Sequence, residues 1–87
     1  MTLTQLQIHR QQHVDAVRRI ETQLHQHDMA VRFSRPVTTN RDTLCTDLAL
    51  HVTAILSADR RLELIRLAQR AAAEQQSWFN LNLSLGR

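Results

Sequence analysis

The residues best suited to chemistry in this 87-residue chain are its five histidines and its single cysteine. His9 and His13 stand four apart, so a helix would bring both imidazoles to one face, a spacing that can hold zinc. His25, His27 and Asp28 form an H-x-H-D cluster, and Cys45 and His51 follow further along. Against a metal centre, there is no cysteine pair, and the H-x-H-D run falls at the end of a helical pattern without a glycine-rich β-scaffold. His13 and His27 also continue an apolar helical seam that His9 and His25 flank. Spacings of this kind arise often by chance. No metal ligand and no cofactor is therefore assigned.

Nucleophilic chemistry has less support. Cys45 falls on the apolar face of a helical pattern, where a thiol acts as a small inert hydrophobe. No serine sits in a G-x-S-x-G turn. The only glycine is Gly86, so no glycine loop can cradle a phosphate. Paired carboxylates would need a cleft, and a chain this short offers little room for one. The sequence reads as non-enzymatic.

The elements that must carry these residues are helices. Only Gly86 and Pro36 can punctuate the chain, which favours long helices with short connections. Hydrophobic residues at 43% and charged residues at 22% place it among globular chains. A single domain over 1–87 is expected, with a thin core, because chains of this size bury only about 60–65% of their unfolded surface. One cysteine fits a reducing cytoplasm, and neither a membrane span nor a signal-peptide core is evident, so a cytoplasmic protein is expected.

Leu3, Leu6, Arg10, His13, Val17, Ile20, Leu24 and His27 fall at alternating steps of three and four, a heptad seam that predicts a helix from about Leu3 to His27. Such a helix, about 37 Å long, packs against two shorter ones or against its twin. Leu6, Val17, Ile20 and Leu24 are the candidate oligomer seam. Alternation of Met29, Val31 and Phe33 predicts a short strand near 29–34 that Pro36 ends. Thr39 or Asn40 offers an N-cap, with Asp42 in the first turn, for a second helix ending near Ser57. Ser57 in turn reads as the N-cap of a third helix that frays near Gln76 or Ser77. Phe79, Leu81, Leu83 and Leu85 then alternate with polar residues, predicting a second strand near 79–85. The expected fold is mainly α: a three-helix domain with one long N-terminal helix and these two strands.

Charge narrows the partners. The sequence pI is near 11.0, yet the net charge is only +3. All 11 basic residues are arginine and there is no tyrosine, so a small excess of arginine pulls the pI far upward. Most arginines share a helix with acids at stabilising spacings, as in Glu63–Arg66. Arg32, Arg35 and Arg41 lack such neighbours. A short strand followed by two helices resembles, in architecture alone, the ribbon–helix–helix repressors over Met29 to Ala73. That resemblance implies base-reading roles for Arg32 and Ser34 and phosphate contacts for Arg35 and Arg41. The strand follows a long helix instead of opening the domain, and the carry-over stops there.

The reading that follows is a small non-enzymatic protein, a homodimer, that binds and modulates or inhibits a larger protein partner. Regulators, chaperones and inhibitors carried by phages or mobile elements share this size and style. Arg32, Arg35, Arg41 and Trp78 are the candidate partner contacts, because arginine and aromatic side chains dominate binding hot spots. Phe79 is expected to close the core. The alternative is a DNA-binding regulator, of ribbon–helix–helix or helix–turn–helix type, acting through the same basic segment.

Overall fold

A computed structural model describes residues 1–85, and side chains through Ser84. Gly86, which the sequence marks as the end of the tail, lies outside the described residues. The first helix, α1, spans Leu3–Arg32. It starts at Thr2 because a capping box closes there: the Gln5 N–H donates to Thr2 Oγ1 at 3.1 Å and the Thr2 N–H to Gln5 Oε1 at 2.8 Å.

The helix does not stop at His27. Met29 to Arg32 form its last turn, so the strand expected near 29–34 is not there. Three alternating apolar residues fit a helix end as well as a strand, and the backbone has local partners that a lone strand would lack. The Arg35 N–H donates to the Ala30 carbonyl at 2.8 Å and the Ser34 N–H to the Val31 carbonyl at 3.2 Å. This is a Schellman closure. It needs a left-handed residue, and Ser34 supplies it at φ 54°. Pro36 follows, where the chain can no longer continue as helix.

The second helix, α2, spans Arg41–Leu85 without a break. Asn40 caps it as expected: its Oδ1 accepts from the N–H groups of Asp42 (2.9 Å) and Thr43 (3.3 Å). The predicted second and third helices are therefore one, and the described residues form two helices. Ser57 signals a cap by type only. Nothing between it and Leu56 breaks a helix, and serine in a helix interior costs only a few tenths of a kcal/mol. Asp59, two residues on, accepts from Arg10 Nε on α1 and ties this part of α2 to the first helix. The strand expected near 79–85 is also helix. Its period-two pattern contains no β-branched residue, and among the described residues no strand exists to pair with it.

The helices run antiparallel, with His13 facing His51 and Asp28 facing Arg41. The seam of α1 closes on α2 of the same chain: Leu6 and Ile20 are buried, and Val17 and Leu24 half-buried. On α2 the matching seam is Leu44, Leu48, His51, Ile55, Ala58, Leu62 and Ile65, all half-buried or better. Among the described residues only Leu6, Ala16, Ile20 and Ala58 are fully buried. Stepping back from the His13–His51 pair, Leu3 falls opposite about position 61. The last 20 residues of α2, about 30 Å of helix, have no neighbour among the described residues. The molecule is accordingly a rod of 82 × 21 × 15 Å. Its radius of gyration of 22.5 Å compares with about 12 Å for a compact chain of this length. Among the described residues no helix is long and apolar enough to cross a membrane.

Candidate functional site

Three features could carry function: a histidine chain inside the hairpin, a basic turn at one end, and an apolar face along α2. The four-residue step puts His9 and His13 on one side of α1, and the antiparallel register brings His51 from α2. His13 Nδ1 lies 2.7 Å from His51 Nδ1, and His13 Nε2 lies 3.2 Å from His9 Nε2. The rings meet edge-on and tilted, with centroids 4.5 and 5.0 Å apart. Partial burial, then the charges His9 and His51 would carry, hold the His13 pKa below its usual value. His13 uses opposite ring nitrogens for its two neighbours, so the three imidazoles form a hydrogen-bonded row and do not converge on a point. Among the described residues no group of three or more His, Cys, Asp or Glu is placed to hold a metal ion.

The other sequence candidates for chemistry scatter. His27 Nδ1 shares a hydrogen bond with Thr39 Oγ1 at 2.8 Å, tying α1 to the turn. His25 is exposed. Cys45 is half-buried, with Arg41 Nη1 donating to its sulfur at 3.5 Å. Side by side, two helices form shallow hollows such as that lined by Leu6, His9, Ala54, Ser57, Ala58 and Arg61.

The basic turn divides the three arginines. Arg41 Nε donates to Asp28 Oδ1 at 3.1 Å, and this hydrogen bond, with the attraction of the same carboxylate, raises the guanidinium pKa further. Arg41 thus clamps the two helices together. Arg32 and Arg35 make no ion pair among the described residues and flank the exposed Phe33 ring, their guanidinium carbons 5.8 and 5.6 Å from its centroid. Two cations and one aromatic face therefore project from the end of the rod.

The apolar face of α2 is the largest feature, and the sequence reading divided it between a helix and a strand. At 100° per residue, Leu64, Leu67, Ala68, Ala71, Ala72, Trp78, Phe79 and Leu83 fall within about 160° of arc. Trp78 is 67% exposed, Phe79 54% and Leu64 49%. Phe79 therefore does not close the core. A stripe for one neighbouring helix is narrower than this, so the face suits two neighbours. Within it runs a second seam in steps of four and three: Leu50, Ala54, Ser57, Arg61, Leu64, Ala68, Ala71, Gln75, Trp78, Asn82. It lies one residue, about 100°, around α2 from the seam that α1 covers. Continuing the 3–4 count through Ser57 to Asn82 would have found it.

Comparison with models of known families, with characterised proteins and with solved structures finds no match for this chain.

Proposed function

We propose that this chain is a non-catalytic helical interaction module that assembles through the exposed face of α2 and engages an acidic protein surface through Arg32 and Arg35. One observation carries the reading: the second seam runs regularly from Leu50 to Asn82, beside α1 as far as Arg61, and from Leu64 onward its side chains are exposed with no neighbour among the described residues. The exposed, largely apolar stretch of that face from Leu64 to Leu83 reads as an assembly surface, because large exposed apolar patches mark interaction sites. The hairpin itself serves to hold α2 straight and to present the basic turn at one end. Modulation or inhibition of a larger protein follows from occupying part of its surface, and no catalytic step is needed for it.

Affinity capture from the source cell, with and without nuclease, tests this reading. A specific protein should remain bound after nuclease, and the Arg32→Ala/Arg35→Ala variant should lose it. Captured nucleic acid, or proteins that vanish with nuclease, would overturn the reading in favour of a DNA-binding regulator using the same arginines. Salt separates the two as well, since each phosphate contact adds about 0.9 to the log–log slope of affinity on salt.

A further inference from the structure

We infer that the occupant of the α2 face is a second copy of this chain, paired antiparallel about position 66, so that the overhang of each copy completes a three-helix bundle with the hairpin of the other. The inference rests on the α2 face being an assembly surface, as proposed above, and adds the partner, the direction and the register.

Area argues for a stable dimer. The chain exposes 7133 Å², against about 5,300 Å² for a compact protein of this mass. If each copy hid half of that excess, the interface would bury about 1,800 Å² in total, the size of a stable complex. The missing neighbour also has the right length. The overhang, 20 residues from 66 to 85, is close to the 25-residue stretch of α2 that α1 accompanies, and pairing about position 66 lays it along about 47–66, most of the other copy's hairpin.

Direction and register follow from the seam residues. A parallel pair would stack Arg61 on Arg61 inside the interface and Trp78 on Trp78. Antiparallel pairing centred on position 66 instead sets large against small: Trp78 faces Ala54 of the second copy, Leu64 faces Ala68, and Arg61 faces Ala71, past which its guanidinium can reach water. These are the alternating layers that antiparallel coils form. On the outer flank the same register brings Arg60 beside Glu74 of the second copy, twice by symmetry. Neither residue makes an ion pair within the chain among the described residues. On the inner flank Ala72 and Phe79 turn toward the partner's α1, which explains why the apolar face is too wide for one helix.

Sedimentation equilibrium and charge swaps test the inference together. The wild type should sediment at twice 10.1 kDa. Arg60→Glu or Glu74→Arg alone, turning two attractions into two repulsions, should raise the dimer dissociation constant about tenfold. The double variant should return it to near the wild-type value. Spin labels on Thr53→Cys in a Cys45→Ser background should lie about 40 Å apart between copies, since each residue from the centre adds about 3 Å. A monomer at high micromolar concentration, an unrescued double swap, or labels in close proximity would each overturn it. A monomer that still captures a distinct protein, and loses it on Trp78→Glu, would overturn the second copy while leaving the assembly surface standing.

Discussion

The Nδ1 atoms of His13 and His51 lie 2.7 Å apart across the hairpin, closer than two protonated rings tolerate. Each gap in the row His9–His13–His51 holds one shared proton when the rings are neutral. A charge on His13 is disfavoured by its partial burial and by the two imidazoles beside it.

This makes the hairpin acid-sensitive. Because the folded-state pKa of His13 is lowered, the unfolded chain takes up its proton first as pH falls. The stability is fully present above the unfolded value, near pH 6.5, and declines as pH drops toward the folded one. Thermal melts followed by circular dichroism from about pH 7.5 to 5 should show a falling midpoint. His13→Leu, which keeps the seam apolar, should flatten the profile; an unchanged slope would mean the row does not set it.

Ser34 holds a left-handed backbone at φ 54° without the freedom of glycine. Ser34→Gly should stabilise the hairpin by about 0.5–1 kcal/mol, and Ser34→Val should destabilise it by at least as much. Urea titrations of both variants measure the pair, with opposite signs expected.

With four core residues, each one matters. Ile20→Ala should cost about 2–4 kcal/mol, a large share of the stability available to so small a fold. Ile8→Ala, at a position 54% exposed, should change stability by less than about 0.5 kcal/mol. Equal losses at the two sites would mean that α1 turns a different face to α2.

The turn arginines should separate by role. Arg41→Ala breaks the link to Asp28 and should lower the melting temperature slightly, an effect that high salt removes. Arg32→Ala and Arg35→Ala should leave the melting temperature unchanged while weakening capture of the partner.

What was legible in the sequence is what depends on near neighbours. The seam of α1, the Asn40 cap and Asp42 in the first turn are all set by residues three or four apart, and all stand in the structure. The expected strands and third helix went wrong where local signals are degenerate. Met29–Phe33 and Phe79–Leu85 alternate as strands do, but whether they are strands depends on a pairing edge that no local pattern reveals. Ser57 has the type of a cap, and only an unbroken helix on both sides shows that it is not one. Among the candidate sites, the His9–His13 step was readable, whereas His51 and Asp28 joined their partners through a register set by the whole hairpin.

The bare half of α2 links assembly to protease resistance. The packed half of α2 nucleates the helix, and the stretch beyond it holds its shape by propagation alone, without tertiary packing. A chain outside the proposed assembly would open first along this stretch, where proteases cut most readily. A chain in its assembly would not. Protection of this stretch from proteolysis would therefore report the proposed assembly directly.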